Sequence, residues 1–142
     1  MYLYGKTACN GIAVMSYLAE EPGRQAGSGE IAEARSIPRT LAAKLLTQLA
    51  AAGFVRGQPG PGGGYTLARD PAKVSLLQIA AVFEQMEAPS HCPFGPEWCG
   101  NHEPCPLHDR IVEMQEKARH FLEDTCLSIF AQSQAAKSSG QK

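Results

Sequence analysis

Apolar residues Ala8, Ile12, Met15, Leu18 and Ala19 fall three and four apart and predict a helix over residues 7–19. Pro22 and Gly23 end it. Ser28 can cap a short second helix over 29–34, with Glu30 well placed for the helix dipole. Ser36 and Ile37 make a tight turn. Pro38 then opens a third helix, over 38–52, because its missing N–H costs nothing at a first helical position. In that helix Leu41, Leu45 and Leu49 recur every four residues with Leu46 beside them, while Arg39, Thr40, Ala43, Lys44, Thr47 and Gln48 occupy the other face. Gly53 suits a left-handed C-cap that Phe54 closes.

Residues 54–56 and 65–67 read as two short strands joined by a proline- and glycine-built tip over 58–64. Ser75 and Gln78 are spaced as a capping box, and Val74 and Ile79 as a hydrophobic staple, for a further helix. Residues 88–106 lack a helical period and contain Pro89, Pro93, Pro96 and Pro104, so they are expected to form a loop. Over 107–131 an amphipathic helix is expected. Its Leu107, Ile111, Met114, Ala118, Phe121 and Thr125 alternate steps of four and three, a seam for a partner helix. Residues 132–142 are small and polar and are expected to be disordered.

The order of these elements predicts a mainly α fold with a small β-hairpin wing. A winged helix-turn-helix domain (1–87) is followed by a cysteine-containing loop (88–106), a dimerisation helix (107–131) and a tail (132–142). The 142 residues suit one domain with an appendage, and 44% hydrophobic residues suffice for a core. No apolar run approaches the roughly 18 residues of a membrane span, and residues 1–6 do not resemble a secretory signal, so a cytoplasmic location with no membrane partner is expected.

The net charge of −1 hides an asymmetry. Residues 1–73 carry eight basic and five acidic side chains, and residues 74–142 carry five and nine. From Arg35 to Arg56 there are four basic residues and no carboxylate. On charge alone, ordinary surface charge is the better reading, so charge does not select a ligand. The third helix adds the argument. Short polar side chains let a helix approach base edges in a major groove about 12 Å wide. Arg39, Thr40 and Lys44 lie near its N-terminus, the end that reads bases in such motifs. Pro38 and Leu41 complete that end, and Arg56 can serve the adjoining strand. Gly62, Gly63 and Tyr65 would shape the wing, where missing Cβ atoms let backbone approach a phosphate chain.

Cys92, Cys99 and Cys105 share one loop without a Cys-x-x-Cys pair, which weakens zinc-ribbon and thioredoxin-like readings. An odd total of five cysteines argues against a secreted disulfide scaffold. Wide spacing around prolines suits an iron–sulfur cluster, whose irons select thiolates. A fourth ligand could come from His108 or Cys9, with His91 and His102 having no better claim. Structural zinc or free thiols remain open, and Cys126 reads as helix packing. Trp98 could shield a cluster or anchor the loop. The glycines at 60–64 join two strands and do not open a helix, so no nucleotide-binding pattern is present. No catalytic triad or carboxylate pair stands out, and no enzyme is expected.

Gly60-Pro61-Gly62-Gly63-Gly64-Tyr65, the Ala-Gly-Phe-Val at 52–55 and the three spaced cysteines together resemble the IscR/NsrR-type regulators of the Rrf-two family, over roughly residues 1–131. The resemblance implies a homodimeric winged-helix transcription factor that binds a double-stranded DNA operator. Its long last helix would cross to the partner. An iron–sulfur cluster would tune its affinity and sense iron–sulfur, nitric oxide or redox status. The family's cluster cysteines fall on Cys92, Cys99 and Cys105. The histidine ligand of IscR-type members falls on His108, which favours 2Fe–2S. In NsrR-type members a carboxylate of the partner subunit binds 4Fe–4S, and with a one-residue shift Cys9 falls there, so nuclearity stays open. The first gap between cysteines is one residue longer than in IscR-type members. The wing arginine falls on Pro59, and the glutamate that discriminates operators falls on Ala43. The alternatives are a thiol-switch or zinc regulator of the same fold and a winged protein–protein module.

Overall fold

A computed structural model describes residues 5–84 and 106–140. Helices α1 (Lys6–Glu20), α2 (Ser28–Arg35) and α3 (Arg39–Ala51) come first. Strands β1 (Val55–Gln58) and β2 (Gly64–Leu67) follow, then a 3-10 turn (Pro71–Lys73). Helices α4 (Leu76–Phe83), α5 (His108–Asp124) and α6 (Ser128–Ser139) complete the order.

The core forms where the apolar periods predict. Met15, Ile31, Leu45, Leu46, Leu49 and Ile79 are fully buried among α1–α4, and Leu122 and Leu127 enter from the C-terminal part. Between α2 and α3 the chain turns through Ser36, whose φ of 54° is left-handed. Pro38 is the N-cap of α3 rather than its first helical residue. At the other end Gly53 takes a φ of 83°, donates to the Ala50 carbonyl, and lets Phe54 donate to that of Leu49. That is a Schellman motif, with Phe54 buried as its closing contact.

The strands pair antiparallel, Val55 with Leu67 through Gln58 with Gly64. Ser75 caps α4 reciprocally with Gln78, at 3.0 and 3.2 Å. The second helix differs in detail: Gly27, not Ser28, is its N-cap.

The C-terminal part departs from expectation. The helix expected over 107–131 ends at Asp124, and Thr125 is extended (φ −99°, ψ 118°). Its carbonyl accepts from Leu76 N at 2.9 Å, and Leu127 N donates to the Val74 carbonyl at 2.9 Å. These bonds pull the chain into an isolated bridge between Ser75 and Cys126. They replace helical bonds, so the break is tertiary in origin. The stretch expected to be disordered is helical through Ser139, in α6. Buried Leu127 and half-buried Phe130 dock its start on the core. The cysteine loop expected over 88–106, and with it Cys92, Cys99, Cys105, His91, His102 and Trp98, lies outside the described residues but for Pro106. No helix among the described residues is long and apolar enough to cross a membrane.

Candidate nucleic-acid interface

Helix α3 buries Ala42, Leu45, Leu46 and Leu49, which fixes its rotation about its axis. Arg39, Thr40, Lys44, Thr47 and Gln48 are therefore exposed along the opposite side. Leu41 is half-buried and packs against the core, so it supports the start of α3 from below. No side chain caps that start. Uncapped first-turn amides, together with the positive end of the helix dipole, favour an approaching phosphate.

The four basic residues between Arg35 and Arg56 do not serve alike. Arg35 donates to Glu20 at 2.6 Å and to Ser16 Oγ at 3.1 Å, and its guanidinium stands 5.2 Å from the Tyr17 ring centre. It fastens α2 to α1. Among the described residues Arg39, Lys44 and Arg56 take part in no ion pair. Among those residues nothing neutralises their charge, which leaves it available for counterion-releasing contact with phosphate.

Arg69 carries a role that sequence pattern did not reveal. It donates to the Gly53 and Ala52 carbonyls at 3.2 and 3.1 Å and lies 4.2 Å from the Phe54 ring centre. It caps the C-terminus of α3, where a cation also suits the dipole. The only hint in the sequence is that the paired strands bring residues 54 and 69 together at one end.

The wing is tied to the helices through Tyr65. Tyr65 N donates to the Ala26 carbonyl at 2.8 Å, and Ala26 N to that of Tyr65 at 3.0 Å. Gln25 and Gln58 add a side-chain hydrogen bond. The half-buried Tyr65 ring lies across Gly57. Tyr65 is thus an anchor of the wing base. At the tip Gly63 N donates to the Gly60 carbonyl at 3.0 Å, and Gly60 and Gly62 have φ of 93° and 75° with open space around them. Gly64 has φ 151°, and a Cβ there would stand 2.8 Å from backbone atoms of Ala26. Gly64→Ala should cost about 2 kcal/mol by chemical denaturation, from strain plus loss of the Ala26–Tyr65 pair. An unchanged unfolding midpoint would show that the wing is not held this way.

Away from this face, the start of α1 lies beneath the end of α4. Phe83 covers Gly11, and the Glu84 carboxylate covers Gly5. Cys9 is half-buried there, and its thiol pKa is raised, first by burial and then by the Glu84 carboxylate. Glu84 directly precedes the segment that carries three cysteines, and His108 begins α5 just after it. Among the described residues no three His, Cys, Asp or Glu side chains stand together as a metal site.

A family profile described as Rrf2, iron-dependent transcriptional regulator, matches residues 6–132. An Aquifex aeolicus protein named as an HTH-type transcriptional regulator is 28% identical over 127 residues, 88% of either chain. CymR, the global cysteine regulator of B. subtilis, superposes with a TM-score of 0.76 at 22% identity, covering 94% of this chain and 98% of its own. The IscR of T. potens superposes with a TM-score of 0.72 at 19% identity, covering 97% and 90%.

Proposed function

Because this chain belongs to the Rrf2 family of DNA-binding transcriptional regulators, which are not enzymes, we propose that it is a homodimeric operator-binding protein whose affinity is set by an iron–sulfur cluster. The observation that carries the DNA contact is the exposed Arg39, Thr40 and Lys44 on a helix whose opposite side is buried. Arg39, Thr40 and Lys44 enter the major groove, with Pro38 and Leu41 shaping the start of α3. Arg56, Gly62 and Gly63 lie along the adjoining backbone, and Tyr65 holds the wing against α1 and α2. A dimer would place two such helices in half-sites about one turn of DNA apart.

The test is binding to a duplex that the anaerobically purified protein selects from a randomised pool, read by fluorescence anisotropy across a salt series. Affinity should fall steeply with salt. Arg39→Ala should lose about 1–3 kcal/mol, roughly fivefold to 150-fold. Binding that ignores both salt and Arg39 would place the interface elsewhere.

The cluster reading rests on the chemistry of its donor set. Cys92, Cys99 and Cys105 would supply three thiolates, and His108 an imidazole at the first residue of α5. Iron–sulfur clusters accept both ligand types. Cys9 of the partner subunit is the alternative fourth donor. When bound, the cluster supplies a redox-sensitive and nitric-oxide-reactive group at the start of the dimerisation helix. The chain's own part is to hold α5 against α4 and α6 against α1, so that a change in the cysteine segment reaches the spacing of the two α3 helices. The protein would act where thiols stay reduced, in the cytoplasm. A thiol switch is the second reading, favoured by the likeness in fold to a cysteine regulator.

A further inference from the structure

Gly29 lies in the first turn of α2, where a glycine costs helix stability relative to alanine. It is not among the glycines with positive φ, so its backbone does not require it. What its missing side chain does is leave room. The guanidinium of Arg39 lies over Gly29, and a Cβ built there would stand 3.0 Å from both Cζ and Nε of Arg39. Carbon contacts settle at about 3.5–4.0 Å, so the guanidinium could not keep this position above an alanine. Glu30, the next residue, is engaged by Tyr17 at 2.5 Å and Arg24 at 2.7 Å and forms no ion pair with Arg39. Arg39 therefore rests on uncharged backbone. Its side chain is placed, while its charge enters no ion pair among the described residues.

Resting on the assignment of Arg39 to the DNA interface, we propose that Gly29 is a positioning residue for operator recognition: its bare backbone is the shelf that aims the Arg39 guanidinium. The clash made by any side chain at residue 29 falls on the far end of a flexible arginine and not on backbone. The fold therefore absorbs the substitution by moving Arg39. A long cation free in solution samples many rotamers, and fixing one in advance lowers the entropy lost on binding. Position 29 thus sets both the strength and the direction of the Arg39 contact.

The experiment is a double-mutant cycle on the full-length protein, purified anaerobically. The probe is the duplex selected from a randomised pool by the wild type. Arg39→Ala should weaken binding about tenfold. Gly29→Ala should weaken it about fivefold while melting no lower than the wild type, since alanine favours the helix. In the Arg39→Ala background, Gly29→Ala should cost nothing further, because the residue it aims is gone. Gly29→Ser introduces the same Cβ and should repeat the result. If Gly29→Ala binds like the wild type, or its loss persists without Arg39, the positioning role is overturned while the Arg39 contact stands. If Arg39→Ala binds like the wild type, the contact and the positioning role both fall.

Discussion

Cys99→Ser should leave the anaerobically purified protein pale, with iron and sulfide reduced at least about tenfold against the wild type. Losing even a neighbour that orients a metal ligand costs about 10–100-fold in metal affinity, and here a ligand itself is lost. Serine keeps nearly the same shape, but its hydroxyl stays protonated and offers a hard oxygen in place of the soft thiolate that iron–sulfur clusters select. Folding of the winged part should be untouched, since the buried cluster of described residues draws on α1–α4, Leu122 and Leu127. The measurement is a visible spectrum with iron, sulfide and zinc counts per chain, beside a thermal melt. The iron-to-protein ratio of the wild type separates 2Fe–2S from 4Fe–4S and so chooses between His108 and Cys9. A reproducibly colourless, iron-free wild type would sink the cluster. Zinc at one per chain would then make the site structural, and no metal at all would leave the thiol switch.

Phe121→Glu should turn the proposed dimer into a monomer. Helix α5 buries only Leu122, while Leu107, Val112 and Phe121 are 45%, 37% and 49% exposed and Ile129 of α6 is 48% exposed. None of the seam positions Leu107, Ile111, Met114, Ala118, Phe121 and Thr125 is buried within the chain. A symmetric pairing uses each position twice, so one substitution removes two contacts. At about 2 kcal/mol for each phenylalanine covered, the loss is about 4 kcal/mol, close to a thousandfold in dimer dissociation. Sedimentation should report the monomer at micromolar concentration. Operator affinity should drop with it, because a monomer holds a single half-site. A Phe121→Glu protein that stays dimeric would place the interface off this seam.

The parts legible in the sequence were those fixed by local chemistry. The leucine repeat of α3, the Gly53 cap, the reciprocal Ser75–Gln78 cap and the glycine turn of the wing each follow from residues a few positions apart. What escaped was decided by residues far apart. The seam of α5 runs unbroken through Thr125, and nothing nearby announces a break. The carbonyl of Val74 and the amide of Leu76, some fifty positions earlier, impose it. In sequence Arg35 and Arg69 are arginines like Arg39, yet both are taken up in holding helices. Charge in a sequence does not reveal which cations have partners. The shelf beneath Arg39 joins residues ten apart across a turn, and a glycine near a helix start gives no sign of what rests on it.

The bridge between Ser75 and Cys126 returns the chain, after α5, to the start of α4. The two backbone hydrogen bonds beside it join residues some fifty positions apart, so the start of α4 and the end of α5 are held together. A segment whose two ends are pinned in this way can grow or shrink at little cost to the fold. Doubling its length would cost only about 0.6 kcal/mol of closure entropy.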